Sequence, residues 1–115
     1  MTWEYRLIPE AVKDLKKLDG SQRKQVIKAL DKLMTNPLPK SEGGYGSPLG
    51  NKNGVDLTGF LKIKLRGVGL RIVYKLVRIE GMAYVIIIGA RAEAEVYEAA
   101  KRRIEAFEYW YESLE

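Results

Sequence analysis

Polar and apolar residues alternate at the start of the chain, and the pattern then changes to a helical spacing. Residues 2–8, TWEYRLI, are typical of a short strand. Pro9 occupies a position that is tolerated at the start of a helix, and apolar residues recur at helical spacing after it. A second amphipathic stretch follows Ser21, a suitable N-cap, and stops at Asn36-Pro37. This part of the chain predicts a strand followed by an antiparallel helical hairpin.

The remainder of the chain predicts a long loop, three strands and a final helix. Residues 37–56 hold three of the four prolines and five of the eleven glycines, so we expect a loop, with either a binding role or plain mobility. Residues 60–66 and 70–78 alternate apolar and basic side chains. Residues 82–89 are almost entirely apolar, as in a strand that has neighbours on both sides. Helical spacing returns over about 91–114.

These elements predict one α+β domain over residues 1–115, in the order β-α-α-β-β-β-α. We expect the N-terminal helical hairpin to pack on a four-stranded, largely antiparallel sheet, with a long C-terminal helix. The longest apolar run, residues 82–88, is too short to span a bilayer, and the charged N-terminus is unlike a signal peptide. We therefore expect a cytoplasmic protein with no membrane association.

The turn RGVGL between two of the predicted strands determines where the charges lie. An even-numbered loop, either Val68-Gly69 or residues 67–70, places Arg66 opposite Arg71. The same register places Lys64 opposite Val73 and Lys62 opposite Lys75. An odd loop would place a basic row opposite an apolar row, which a one-sided core forbids. Five cations are therefore expected on one sheet face: Lys62, Lys64, Arg66, Arg71 and Lys75.

Charge and the missing residue types narrow the chemistry. The chain has 20 Lys+Arg against 15 Asp+Glu, and ten basic but only four acidic residues lie within 58–103. Such a face favours a polyanionic partner. The absence of His and Cys excludes an imidazole base, a thiolate nucleophile and the commonest metal ligands. Since acidic residues are scarce near the basic face, we expect neither a metal nor another cofactor.

Clustered cations suit the cleavage of RNA by attack of a ribose 2′-OH on the adjacent phosphate. The reaction needs a base, positive charge for the transition state and an acid for the leaving 5′-oxygen. A lysine crowded by other cations has its ammonium form disfavoured, which lowers its pKa, and arginine offers bidentate donors to phosphate. Lys62, Lys64 and Arg71 are the candidates for this chemistry.

Two motifs resemble the RelE branch of the RelE/ParE toxin superfamily. They are KIKLRGVGLRIVY at residues 62–74 and GARAEAEVY at residues 89–97. The predicted order of elements is also similar to that fold. Members of this branch are ribosome-dependent mRNA interferases, which cut the mRNA codon in the A site without a metal. The resemblance therefore implies an endoribonuclease toxin of a type II toxin–antitoxin system that inhibits translation.

The resemblance also implies roles for five residues. Lys62 and Lys64 correspond to the strand lysines of the site, and Arg71 corresponds to the arginine that stabilises the phosphate. Arg91 corresponds to an arginine near the leaving group, as an acid or an electrostatic stabiliser. Tyr97 corresponds to a tyrosine that stacks on the substrate or assists proton transfer. The identity of the general base stays open, with Lys64 favoured.

Further residues are expected to contact the partners that the resemblance implies, which are the ribosomal A site and mRNA. Arg66, next to the turn, is expected to contact ribosomal RNA or phosphate outside the catalytic set. Lys75 and Arg78 are expected either to do the same or to be simply solvated.

The third implied partner is a RelB-like antitoxin, in a toxin–antitoxin hetero-oligomer. Antitoxins of this kind wrap the toxin with amphipathic helices and cover its basic residues or displace its last helix. The chain ends in FEYWYESLE, so Phe107, Trp110 and Tyr111 are candidates for the antitoxin-binding surface. The alternative is that these aromatic residues pack onto the helical hairpin.

Two other functions compete with mRNA cleavage. A ParE-like inhibitor of DNA gyrase would share the fold, but that class generally lacks the full set of two lysines, two arginines and a tyrosine. A non-catalytic ribosome- or RNA-binding module would use the same basic face without any chemistry, and its binding would depend on salt.

Overall fold

The computed structural model describes residues 3–52, 55–89 and 93–113, and it confirms the α+β class. The helices and strands are β1 (Glu4–Leu7), α1 (Pro9–Lys17), α2 (Gly20–Leu33), β2 (Ser47–Pro48), β3 (Asn51–Lys52), β4 (Val55–Asp56), β5 (Phe60–Leu65), β6 (Leu70–Val77), β7 (Met82–Gly89) and α3 (Glu93–Glu112). Within the described residues no helix is long and apolar enough to cross a membrane.

The main sheet of the described residues has five strands, in the order β1-β7-β6-β5-β2. β1 runs parallel to β7, and the other neighbouring pairs are antiparallel. The prediction of four strands is wrong because the predicted loop contributes a strand: Ser47 and Pro48 pair with Lys62 and Leu61. The same loop also supplies the short ribbon of β3 and β4. The sheet is therefore mixed, with the N-terminal strand at one edge.

The hairpin of β5 and β6 has a different register from the predicted one. Lys64 lies opposite Arg71, and residues 66–69 form the turn. The prediction that Arg66 faces Arg71 is therefore wrong, and the other predicted pairs are displaced by the same two residues. The turn closes through Gly69, whose φ of 68° lies in the left-handed region that glycine adopts without strain. Because the loop is still even-numbered, Lys62, Lys64, Arg71 and Lys75 keep to one sheet face, whereas Arg66 lies in the turn.

The second helix begins earlier than the sequence predicts. Asp19, and not Ser21, is the N-cap: its side chain accepts a hydrogen bond from the backbone N–H of Gln22 (2.7 Å). The Gln22 side chain in turn accepts from the backbone N–H of Asp19 (3.2 Å), which completes a capping box. This reciprocal pair satisfies two donors at the helix start and fixes the turn after α1.

A partly buried ion pair ties the first and last helices together at the end of β7. The Asp14 carboxylate of α1 accepts from both terminal nitrogens of Arg103 in α3, at 2.5 and 3.0 Å. It also accepts from the backbone N–H of Ile88 at 3.0 Å. On both sides of Arg103 in α3, apolar residues are buried against the sheet: Val96, Tyr97, Ala100 and Phe107. The final helix therefore lies over the sheet that carries the basic residues.

Candidate functional site

Lys64 and Arg71 form the centre of the basic face. They are directly opposed on β5 and β6, where facing Cβ atoms lie about 4.5–5.5 Å apart in an antiparallel sheet. Lys64 is exposed and Arg71 is half-buried. Like charges in such a pair destabilise a sheet. An anion bound between them would relieve that repulsion.

The guanidinium of Arg71 has a donor without an acceptor. Its Nη1 atom is buried and makes no hydrogen bond within the described part of the chain. A buried donor left unsatisfied costs about 1–3 kcal/mol, and a charged one costs more. A bound phosphate oxygen would supply the missing acceptor, because arginine donates to phosphate in fixed geometry.

Lys62 and Tyr97 form a buried pair beside this centre. The Lys62 ammonium donates to the Tyr97 phenol oxygen at 2.6 Å and lies 5.3 Å from the centroid of the same ring. Lys62 is 8% exposed and Tyr97 is 0% exposed. The pair joins β5 to α3. In this conformation Tyr97 offers no exposed ring for stacking on a substrate base, so its contact with the site runs through Lys62.

The remaining predicted site residues have different surroundings. Arg91 lies outside the described residues, so its role stays a prediction. Arg66 is exposed in the turn that follows β5. Lys75 faces Phe60 across the sheet, and its ammonium lies 5.3 Å from the Phe60 ring centroid. Arg66 therefore follows Lys64 closely in the sequence, at the turn. Lys75 lies four residues beyond Arg71 in β6, away from the turn.

Arg78 is paired with a carboxylate and lies past the far end of β6. It forms a bidentate ion pair with Glu42, with N–O distances of 2.8 and 2.6 Å. The hydrogen bonds from Arg78 lower the pKa of Glu42, and those to Glu42 raise the pKa of Arg78. The structure thus gives Arg78 an anionic partner from the protein itself, in the segment before β2.

The aromatic end of α3 packs on the sheet and not on the helical hairpin. The rings of Phe107, Trp110 and Tyr111 lie 5.5, 5.8 and 5.4 Å from that of Tyr84 in β7. Phe107 is only 3% exposed, so it is packed in the interior in this conformation. Its contact with an antitoxin, like that of Trp110 and Tyr111, stays a prediction. The sequence did not identify Tyr84 as the partner because the apolar run 82–89 shows no alternation that would assign its faces.

Glu80 completes this aromatic cluster. Its carboxylate accepts hydrogen bonds from the phenols of Tyr84 (2.8 Å) and Tyr111 (2.9 Å). Burial, reinforced by the bond to Glu80, raises the pKa of Tyr84 to about 12. The cluster holds the C-terminal half of α3 against β7.

The chemistry available in this site is that of cations and one phenol. Lys64 and Arg71 can hold a phosphate, and Lys62 with Tyr97 forms a hydrogen-bonded pair of groups that can carry protons. Among the described residues, no three acidic side chains form a group able to hold a metal ion.

Comparisons with known proteins agree on one family. The family described as "ParE toxin of type II toxin-antitoxin system, parDE" matches residues 5–95. The Escherichia coli K12 protein named mRNA interferase toxin RelE is 32% identical over 94 residues, covering 82% of this chain and 88% of the relative. The structure of a double mutant of E. coli toxin RelE in the free state superposes with a TM-score of 0.67 at 30% identity, over 90% of this chain and 99% of that one.

A structure that includes an antitoxin is also similar. The toxin chain matched in the intact E. coli RelBE toxin–antitoxin complex has a TM-score of 0.59 at 25% identity, over 81% of this chain and 100% of that one. The range matched by the family includes Lys62, Lys64 and Arg71.

Proposed function

Because the chain belongs to the RelE/ParE superfamily of toxins of type II toxin–antitoxin systems, we propose that it is a ribosome-dependent mRNA endoribonuclease. It cleaves mRNA in the ribosomal A site in the cytoplasm and thereby inhibits translation. The observation that carries this proposal is the buried Nη1 of Arg71, which has no hydrogen-bond partner among the described residues, in an arginine directly opposite the exposed Lys64. This is an anion site beside groups that can transfer protons.

The scissile phosphate binds between Lys64 and Arg71. Its non-bridging oxygens accept hydrogen bonds from the Arg71 guanidinium, and one of these bonds satisfies Nη1. The attraction between the guanidinium and these oxygens strengthens as the phosphorane-like transition state gains negative charge. The 2′-oxygen forms a bond to phosphorus while the bond from phosphorus to the 5′-oxygen breaks. The products are a 2′,3′-cyclic phosphate and a 5′-hydroxyl, and no metal takes part.

Two protons move in this reaction. The 2′-OH gives its proton to a base, and Lys64 is the favoured candidate because it is exposed and lies directly opposite Arg71. The leaving 5′-oxygen takes a proton from an acid, and Arg91 is the residue that the family resemblance assigns there. Tyr97 acts through Lys62: the 2.6 Å hydrogen bond holds the ammonium under α3 and fixes where the positive charge lies.

The proposed partner is a RelB-like antitoxin, since one of the similar structures is a RelBE toxin–antitoxin complex. Trp110 and Tyr111 keep part of their surface exposed and are the candidates for contact with it. Phe107 is reached only after α3 leaves Tyr84.

Inhibition of DNA gyrase is the second candidate, because the matching family is described as a ParE toxin. It requires no cleavage of RNA and gives no function to the buried Nη1 of Arg71, which has no acceptor among the described residues. A supercoiling assay with purified gyrase measures it directly.

Primer extension on mRNA held on ribosomes with an empty A site tests the proposal. The variants are Arg71→Ala, Arg91→Ala and, as the matched control, Arg102→Ala, which removes an exposed arginine of α3. We expect new cuts at the A-site codon that need the ribosome and that fall by roughly 10²–10³-fold in Arg71→Ala, as when one preorganised donor to a transition state is lost. Arg102→Ala should cut as the wild type does. Absence of cuts by the folded, antitoxin-free wild type would overturn the proposal.

A further inference from the structure

A groove of about 530 Å³ opens along the outer edge of β5, beside the candidate site. β2 pairs with β5 only as far as Lys62, so the rest of that edge is left to face α2 and the segment at 40–47. Leu33, Ile63 and Leu65 give the groove apolar walls. It shares Lys62 and Lys64 with the candidate site and is therefore continuous with it.

The charged residues of the groove are all basic. Lys32, Lys40 and Arg66 line it together with the two strand lysines, and no acidic side chain of the described residues does so. Lys32, Lys40 and Arg66 belong to three different elements, α2, the following segment and the β5–β6 turn. Cations converging from separate elements on one concave surface fit a polyanionic strand.

Tyr45 supplies an exposed aromatic ring at this surface. It is 45% exposed, and the Lys32 ammonium lies 5.5 Å from its ring centroid. An exposed aromatic ring next to cations is the arrangement on which single-stranded bases stack. The apolar walls, the aromatic ring and the basic residues together match a nucleotide, which carries both a flat base and a phosphate.

The position of Tyr45 is fixed by the backbone around it. Its N–H donates to the Asn36 carbonyl at 3.1 Å, and the N–H of Gly46 donates to the Leu38 carbonyl at 3.1 Å. A Cβ at Gly44 would lie 2.0 Å from the Leu38 carbonyl oxygen, so this close approach requires glycine. The segment is thus folded before any ligand binds, and a base that stacks there has little ordering entropy to overcome.

Arg78 and Glu42 anchor the same segment from its outer side. Their bidentate ion pair joins the turn after β6 to the short 3₁₀ helix at Lys40–Glu42, three residues before Tyr45. Arg78 was predicted either to contact RNA or to be simply solvated, and that prediction is untested. Its ion pair with Glu42 also lets it help to position Tyr45 and Lys40.

We propose that this groove binds the mRNA strand next to the scissile phosphate. One base stacks on Tyr45, and neighbouring backbone phosphates contact Lys40 and Arg66. That the strand is mRNA rests on the proposed function, since the groove continues the site in which the scissile phosphate would lie.

Fluorescence anisotropy with a short single-stranded RNA tests the binding without any need for cleavage. The RNA carries a fluorescent label and 2′-O-methyl groups throughout, so it cannot be cut. Tyr45→Ala should weaken binding about tenfold, because base stacking on an aromatic residue typically contributes this much or more. Tyr45→Phe should bind as the wild type does. The matched control is Tyr109→Ala, which removes a tyrosine that is 80% exposed on α3 and should leave affinity unchanged.

The dependence on salt tests the phosphate contact. Lys40→Ala should reduce the slope of log K against log salt by about 0.7, the value for one phosphate contact on a single strand. Lys24→Ala removes an exposed lysine of α2 outside the groove and should leave the slope as it is. Equal slopes in Lys40→Ala and Lys24→Ala, or no binding by the wild type at low salt, would overturn the proposal.

Cleavage on programmed ribosomes separates the groove from the proposed function. If the wild type binds RNA and Tyr45→Ala binds it weakly, but neither protein cuts mRNA, the proposed RNA-binding groove is supported and the proposed endoribonuclease function is refuted. If the wild type cuts mRNA, and Tyr45→Ala equals it in both RNA binding and cleavage, the groove proposal is refuted while the proposed endoribonuclease function is supported. If Tyr45→Ala loses antitoxin binding but keeps RNA binding, the groove belongs to the antitoxin and the proposal is overturned.

An abasic mRNA identifies the strand. The concentration of toxin for half-maximal cleavage should rise about tenfold in Tyr45→Ala with intact mRNA. The difference should disappear when one mRNA nucleotide lacks its base. A difference that persists at every abasic position would assign the stacked base to ribosomal RNA and overturn the proposal.

Discussion

Asp14 and Arg103 offer the sharpest test of how α3 is held in place. The Asp14 carboxylate accepts three hydrogen bonds, two from the Arg103 guanidinium and one from the backbone N–H of Ile88. Arg103 also donates to the Ile86 carbonyl at 3.0 Å. Replacement of Asp14 by alanine leaves a largely buried guanidinium without its counter-ion and the Ile88 donor without an acceptor.

The size of the effect follows from burial. The side chains of Arg103 and Asp14 are 21% and 12% exposed, so water screens the pair only in part. Removal of one partner of a buried pair costs about 3–5 kcal/mol. With this residual exposure we expect Asp14→Ala to lose about 3 kcal/mol in free energy of unfolding. For a chain of this length, that loss lowers the melting temperature by about 12 °C.

Urea denaturation followed by circular dichroism measures this loss in free energy of unfolding, in a double-mutant cycle that combines Asp14→Ala with Arg103→Ala. The double variant should be destabilised by less than the sum of the single variants, because it leaves no unpaired charge. Arg102→Ala, at an exposed neighbouring position, is the control and should stay within about 0.5 kcal/mol of the wild type. Strictly additive effects, or an Asp14→Ala variant as stable as Arg102→Ala, would refute the proposed role of the pair.

Three further predictions concern the segment before β2 and the aromatic cluster. Gly46→Ala should destabilise the fold by about 1–3 kcal/mol in urea, because its Cβ would lie 2.2 Å from the Tyr74 hydroxyl oxygen. Arg78→Ala should raise the pKa of Glu42 toward its ordinary value, measured by NMR titration, since the lowering comes from the Arg78 hydrogen bonds. Tyr84, whose pKa is raised to about 12, resists ionisation when folded but not when unfolded. The stability that this difference in pKa gives the fold is fully present below a pH of about 10 and is lost as the pH rises through 12. The urea midpoint of the wild type should therefore fall between these two pH values, and that of Tyr84→Phe should fall less.

Controls for these predictions lie elsewhere on the surface. Gly20→Ala places its Cβ in open space and should be neutral or stabilising, so equal losses in Gly20→Ala and Gly46→Ala would contradict the close packing. Lys24→Ala should leave the pKa of Glu42 unchanged. If that pKa rises as far in Lys24→Ala as in Arg78→Ala, the ion pair with Arg78 is not what lowers it. In Tyr109→Phe the urea midpoint should fall at alkaline pH by as much as it does in the wild type.

The side-chain alternation of the hairpin was enough to predict the basic face. Its period of two assigned Lys62, Lys64 and Arg71 to one side, and an even loop preserves that side at any register. The register itself could not be predicted, because an even turn centred between Gly67 and Val68, as at residues 66–69, keeps the same side chains on one face as an even turn centred between Val68 and Gly69. The four-residue turn found here closes through the left-handed backbone of Gly69, which the alternation does not encode.

Long-range packing was beyond the sequence. Tyr97 falls on the apolar stripe of the last helix, but which strand that stripe covers depends on the path of the chain. The bond to Lys62, 35 residues away, therefore appears only in the fold. Loop composition likewise predicted irregular structure at 37–56, and it does not show that Tyr74 fixes this segment by donating to the Pro37 carbonyl at 2.8 Å.

The most direct measurement is cleavage of a ribosome-bound mRNA that carries a single 2′-deoxynucleotide on the 5′ side of the scissile phosphate. Wild-type toxin should cut the all-ribose mRNA in the A site and leave a 2′,3′-cyclic phosphate. It should not cut at the deoxy position, and Arg71→Ala should cut neither mRNA at a comparable rate. Equal cleavage of the two mRNAs, or no cleavage of either by the folded toxin, would contradict attack by the 2′-OH at the Lys64–Arg71 centre.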